Sequence, residues 1–276
     1  MEQQFLRIID NEILIPGLEK SYTMIQISDT HLLVMDENST PEHVQKLKEQ
    51  EQAWQEVKKG FADLFGEPCG KVHEISTIQC FEKVMEYVKE QKPDLLVFSG
   101  DVLNYEHEEG YEYFRAYMED YDGAWLFVPG NHDNEMVPKK LGIPGVQVRQ
   151  LDGVRVIGLD DSKMTIATTD LEELKELLSH KEPSILVMHT PVETEYGKEA
   201  MGRVPEHFVI HKDKTDANGK VFIELCEQEE APIAAVLCGH IHGYHKSQLI
   251  PGREQICCSS GMVGFVHRIT VRGASE

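Results

Sequence analysis

Nowhere in its 276 residues does the chain carry an apolar run long enough for a membrane-spanning helix. The opening "MEQQFLRIIDNEILIPGLEK" lacks the basic stretch and apolar core of a secretory signal. Its six cysteines form no CxxC pair, and Cys238, Cys257 and Cys258 sit in strand-like runs, as buried free thiols in a reducing compartment do. A cytoplasmic location is therefore expected. Positive charge is scarce: 27 Lys and Arg stand against 48 Asp and Glu, a net charge of −21. That balance argues against a nucleic-acid polymer or an anionic membrane as partner, and no basic stripe with aromatic platforms contradicts it. It leaves room for a small phosphorylated substrate, because bound metal cations can supply the missing positive charge. No repeat, low-complexity segment or linker rich in Gly, Ser or Pro breaks the chain, so one domain over 1–276 is expected, of unknown oligomeric state.

What the chain does have is a series of short apolar runs: "MIQIS" (24–28), "DLLVFS" (94–99), "AWLFV" (124–128), "VRVIGL" (154–159), "SILVMH" (184–189) and "IAAVLC" (233–238). Continuous runs of this length suit strands buried on both faces. Helical periodicity lies between them, at Ile75, Ile78, Phe81, Val84, Met85 and Val88, and at Leu171, Leu174, Leu177 and Leu178. In the second of these helices Thr169 and Glu172 have capping-box spacing. The alternation predicts an α/β fold with a largely parallel central sheet. "FLRIID" and "EILIP" predict a hairpin at the start, and "SQLI", "QICC" and "VGFVHRITV" add strands at the end. Within 36–74, Val44, Leu47, Trp54, Val57, Phe61 and Leu64 recur at roughly helical spacing in a polar context. This insertion reads as one long amphipathic helix followed by a turn through "GEPCG". It either packs as ordinary structure or forms a lid beside a site.

Five of the apolar runs end in residues of metal-ligand type. "MIQIS" leads to Asp29 and His31, "LLVFS" to Asp101, "WLFVP" to Asn131, His132 and Asp133, "SILVM" to His189, and "IAAVLC" to His240 and His242. In open α/β sheets ligands bind beyond the carboxyl ends of the strands. Taken singly, each motif is also ordinary turn chemistry; five in succession, each directly after a strand, point to a metal site. Two Asp, four His and one Asn without thiolate suit manganese, iron or zinc. Seven donors exceed what one ion with an open position needs, and they suit two ions sharing a carboxylate. Such pairs promote displacement at phosphorus.

The ordered motifs D-x-H, GD, GNHD, H and GHxH resemble the calcineurin-like metallophosphoesterase superfamily, and most of all its class III cyclic-nucleotide phosphodiesterase-like group. The resemblance implies a four-layer α/β/β/α sandwich with two mixed sheets. It implies that Asp29, His31 and His242 hold a first metal, that Asn131, His189 and His240 hold a second, and that Asp101 bridges them. His132 would contact the scissile phosphate, with Asp133 setting its tautomer. Asn104 stands where purple acid phosphatases carry a metal-binding tyrosine; it is expected near the substrate or behind the ligands. His245 falls outside the motif. The implied function is hydrolysis of a small phosphodiester by metal-bound hydroxide, with a phosphomonoesterase or a non-catalytic scaffold as alternatives. The stretch between "DTH" and "GD" is longer than that group's pattern. Lys198, Arg203, His207, His211 and Lys212, in a variable loop at about 190–220, are either substrate contacts or solvated. His43, His73, His107, His180 and His267 are expected to be surface or structural.

Overall fold

The computed structural model describes residues 6–65, 74–133 and 135–274, with side chains left aside at 61–65. The strands are β1 (Arg7–Ile15), β2 (Tyr22–Ile27), β3 (Leu95–Ser99), β4 (Trp125–Val128), β5 (Val146–Leu151), β6 (Val154–Leu159), β7 (Ser184–Val187), β8 (Val192–Glu193), β9 (Ile210–His211), β10 (Ile233–Cys238), β11 (His245–Ile250), β12 (Arg253–Cys257) and β13 (Phe265–Gly273). The helices are α1 (Pro41–Phe65), α2 (Thr77–Gln91), α3 (Glu108–Glu119), α4 (Met136–Leu141), α5 (Thr168–Ser179), α6 (Lys198–Met201) and α7 (Ala217–Glu227). One sheet has the order β1-β13-β2-β3-β4 and the other β11-β12-β10-β7-β6-β5. Each is mixed: the first has one antiparallel pair, β13 with β2, among parallel ones, and the second is parallel from β12 to β6 with an antiparallel strand at each edge.

The apolar runs are continuous because both faces of each sheet are covered. In β3, Leu95 and Val97 meet Ile185, Val187 and Leu237 of the second sheet. The alternate residues Leu96 and Phe98 meet Phe81, Val84 and Phe114 of α2 and α3. Ile157, Leu186 and Val236 carry α5 and α7 in the same way on the far side, through Leu174, Leu178 and Phe222. The result is a sandwich of two sheets with helices outside. Gln26 ties the sheets together beneath the strand ends, donating to Ser99 Oγ and to the Cys238 carbonyl at 2.8 Å each. Cys80 is buried, and Cys226, Cys238, Cys257 and Cys258 are buried free thiols. No described helix is long and apolar enough to cross a membrane.

Three local expectations are corrected. The expected hairpin at the start is instead a single strand, β1, parallel to β13 from Arg7↔Phe265 to Ile15↔Gly273. The polar stretch at its middle is not a turn, because Asp10 receives Arg268 Nε at 2.7 Å and Asn11 faces His267 and Tyr244. The capping box at Thr169 and Glu172 does not form: α5 begins two residues earlier than a Thr169 cap would start it, after Ala167, with no side-chain cap. A capping box caps α2 instead, between Ser76 and Gln79. Third, the inward face of α1 is partly polar. Leu47, Trp54 and Lys58 turn inward, while Val57 is exposed. Glu51 receives the Thr77 N–H at 3.1 Å, and Lys58 donates to the Ile75 carbonyl at 3.0 Å. The expected turn through "GEPCG" and His73 lie outside the described residues.

His267, in β13, is fully buried, and its Nε2 accepts the Ser259 N–H at 3.1 Å. The neutral ring therefore carries its proton on Nδ1. Burial pushes its pKa down to about 4. An unfolded histidine takes a proton near pH 6.5, so this site's stability is complete above that pH and is lost progressively as pH falls toward 4, about 3 kcal/mol in all. Between pH 7 and pH 5, urea denaturation with a chelator present should show the parent protein losing about 2 kcal/mol more than His267→Gln. Equal slopes in the two proteins would refute this.

Candidate metal centre

The turns that leave β2, β3 and β10 are unusual. Asp29, His31, Asp101, His240 and His242 have φ of 53°, 45°, 54°, 69° and 55°, and they are five of the eight described non-glycine residues at positive φ. Left-handed backbone costs such residues on the order of 1 kcal/mol each, and it clusters where a site over-determines the conformation. Here each kink follows a strand end and turns its side chain onto the rim shared by both sheets. Backbone bonds hold the kinks: Asp29 N–H to the Gly100 carbonyl at 2.9 Å, His31 N–H to the Asp101 carbonyl at 3.0 Å, and Gly239 N–H to the His189 carbonyl at 2.8 Å. Gly100, at φ 92°, is required twice over, since a Cβ there would also strike the His189 ring. At Gly130 a Cβ would overlap the Asp101 carboxylate.

The donors gather in two sets. Asp29, His31, Asp101 and His242 offer one atom each within 4.8 Å of one another, as do Asp101, His189 and His240. Asp101 belongs to both sets. Its Oδ2 lies 3.9 Å from His31 Nε2 in the first and 3.3 Å from His189 Nε2 in the second. Its Oδ1 is held by the His132 backbone N–H at 2.8 Å. In the first set His31 Nε2 and His242 Nε2 stand 3.0 Å apart, and His242 Nε2 is 3.3 Å from Asp29 Oδ1. In the second, His189 Nε2 is 3.1 Å from His240 Nδ1 and 3.2 Å from Asn131 Oδ1.

These residues fit a pair of cations. Asp29 Oδ1 is buried and makes no hydrogen bond, although the carboxylate's other oxygen receives the His240 N–H at 3.1 Å. His189 Nδ1 donates to the Ser99 carbonyl at 2.8 Å, which leaves the Nε2 lone pair facing the cluster, as a metal-binding imidazole requires. Nitrogen and oxygen donors without sulfur are the set expected for manganese, iron or zinc. The electrostatics agree. Burial holds His31 down at about 3, and burial with the neighbouring His189 holds His240 at about 4, so both rings stay neutral. Burial opposes charge on Asp101 and Asp29 too, but the surrounding histidines outweigh it and keep both carboxyls below the usual range. His189 is pushed up to about 10: burial opposes the charge, and Asp101 overrides it. A cation among these groups would take the place of that proton.

Asp133 has a different task from the expected one. Its oxygens receive the Leu103 and Gly130 N–H groups at 2.9 Å each, and it does not hold the His132 ring. Burial and the charge of Asp101 raise its pKa to about 7. The ring is held by the Asn104 backbone carbonyl, 2.7 Å from His132 Nδ1. A carbonyl can only accept, so Nδ1 carries the proton and Nε2 is left for other chemistry. The Asn104 side chain is turned away from a substrate role, between Trp54 Nε1 at 2.9 Å and Gln50 Oε1 at 3.2 Å.

Two further groups escaped the sequence reading. Asp161 receives the His189 and Thr190 N–H groups at 2.6 and 2.7 Å, and burial raises its pKa to about 6. The signal was present: "VRVIGL" ends in a pair of Asp just as the other runs end in ligands. Phe208 packs its ring 5.1 Å from His240. It belongs to the 190–220 segment, whose Lys198, His211 and Lys212 are occupied by Glu195, Glu193 and Glu227, while His207 stacks on Phe208 itself. Arg203 is exposed. His245 begins β11, outside both donor sets. His43 pairs with Glu109, His107 and His267 are buried, and His180 is exposed at the end of α5.

A sandwich whose strand ends present two donor sets joined by one carboxylate defines a dimetal-hydrolase class of protein. A family model described as calcineurin-like phosphoesterase matches residues 22–244, and the chain belongs to that family, whose members use a dinuclear metal centre. A probable cyclic nucleotide phosphodiesterase from Rhodococcus erythropolis is 30% identical over 118 residues. That match spans 36% of this chain and 39% of the relative. The crystal structure of a dimetal phosphatase from Danio rerio superposes with a TM-score of 0.53 at 10% identity, covering 87% of this chain and 88% of that one. This likeness shows the shared fold.

Proposed function

We propose that the protein is a dimetal phosphodiesterase acting on a small, nucleotide-like phosphodiester. The observation that carries the reading is Asp101 Oδ2, one oxygen presented to both donor sets. Asp29, His31 and His242 would hold one ion and Asn131, His189 and His240 the other, with Asp101 between them. When bound, the ions supply Lewis acidity toward the phosphoryl oxygens and lower the pKa of water. The chain's own residues do the rest. The His132 N–H fixes the shared carboxylate. The His132 ring, with Nδ1 committed to Asn104, moves a proton at Nε2 to the departing alkoxide.

Charge favours a diester. Among the described residues, no lysine or arginine pairs with any donor or with His132. A monoester carries about −1.5 to −2 charges near neutral pH, whereas a diester carries one, so the diester needs less cationic help. The name of the Rhodococcus relative supports cyclic nucleotides as the first diesters to try. The test is a comparison of specificity constants for an aryl phosphodiester, an aryl phosphomonoester and cyclic nucleotides with metal-replete protein. A diester should lead the monoester by at least about tenfold, equivalent to about 1.4 kcal/mol. A monoester preference would make the protein a monoesterase. No turnover of any of them with metal bound would favour a scaffold.

A further inference from the structure

We propose that Trp54 of α1 is a positioning residue that closes the first donor set and ties α1 to the carbonyl that orients His132. The inference rests on the reading that ions occupy the two donor sets. The indole lies 4.8 Å from the His31 ring at 36°, and 5.9 Å from the His242 ring at 52°. It also packs against the cluster of Met262, Val263 and Phe265. It is thus a wall between that cluster and two ligand rings, and it limits the rotation of both. Its Nε1–H donates to Asn104 Oδ1 at 2.9 Å, and the same Asn104 is bound by Gln50 one helical turn earlier in α1. The backbone carbonyl of Asn104 is the acceptor for His132 Nδ1. One residue of α1 therefore bears on the first set by packing and on the proton-transfer ring through a single amide.

The anchors that keep α1 in place are separate from the site. Glu51 reaches the start of α2, Lys58 reaches the Ile75 carbonyl, Leu47 is buried, and Ser39 just before the helix donates to Glu109 at 2.9 Å. Removing the indole leaves these intact. The second donor set has a different neighbour, Phe208, from a segment more than a hundred residues away in sequence. Two aromatic walls from two segments make the proposal testable by contrast.

The test is a Mn(II) titration followed by electron paramagnetic resonance, which resolves the two binding events. Trp54→Ala should weaken one event by about 10- to 100-fold, the range for a group that supports metal ligands, and leave the other unchanged. Phe208→Ala should not weaken the event that Trp54→Ala weakens. Trp54→Phe keeps a ring beside His31 but loses the bond to Asn104; its kcat should fall about tenfold with KM unchanged, the pattern of an interaction made in the transition state. In Trp125→Phe protein Trp54 is the remaining tryptophan, and its emission should be quenched by one of the two Mn(II) events. Unchanged binding in Trp54→Ala, equal weakening of both events, or an unquenched Trp54 overturns the proposal. If Trp54→Ala fails to fold, the quenching and the Trp54→Phe kinetics decide it. A parent protein that binds no Mn(II) would refute the dimetal reading itself, a result distinct from normal binding that ignores Trp54.

Discussion

Asp101→Asn is expected to lower kcat on any accepted phosphoester by about 10³-fold or more, a loss of about 4 kcal/mol in transition-state stabilisation. The substitution keeps the shape of the side chain, and the amide oxygen can still receive the His132 N–H that Oδ1 receives now. What it removes is the negative charge on the oxygen that faces both donor sets. Two cations held side by side repel one another, and a shared carboxylate is the group that offsets this. The measurement has two parts. Saturating metal should no longer raise the melting temperature as it does in the parent, because ligand-linked stabilisation follows affinity. Activity at saturating metal should stay low. A variant that keeps kcat/KM within tenfold of the parent would show that Asp101 does not bridge.

His132→Ala is expected to lower kcat by about 10²- to 10⁴-fold, with metal binding unchanged. The ring is not one of the paired donors, and the backbone N–H that holds Asp101 survives its removal. The loss should depend on the leaving group. An alkoxide such as a ribose oxygen needs a proton as its bond to phosphorus breaks; a nitrophenolate does not. The variant should therefore lose far more activity on a cyclic nucleotide than on an activated aryl diester. Equal losses on both would assign His132 to charge stabilisation rather than proton transfer.

These expectations join parts of the molecule that differ in how far the sequence discloses them. The apolar runs are legible because a strand covered on both faces has no solvent side, and the sequence shows this as an unbroken run. The donors are legible because each follows such a run at once, and in α/β sheets that place is the rim. The hairpin expected at the start fails for a reason no local rule contains. The polar stretch of β1 finds Arg268, His267 and Tyr244 more than two hundred residues later. The capping box at Thr169 fails because α5 starts two residues earlier than the spacing implies. Asp133 is next to His132 in sequence, yet its carboxylate is turned under the loop by two backbone N–H groups, and a peptide carbonyl holds the ring instead. Backbone carbonyls are the same at every residue, so no residue code marks this one.

By itself, then, the sequence determined the layered α/β class, the order of the donor motifs, and a helix in the insertion. Those features depend on hydrophobic period and on residues immediately after strands, and both are local. Only the tertiary structure decided that Asp101 Oδ2 faces both donor sets, that Asp161 braces the His189 backbone, and that Trp54 lies against His31. Those are meetings of side chains from distant segments. Burial on both sheets, not spacing along the chain, fixes the angles at which they converge.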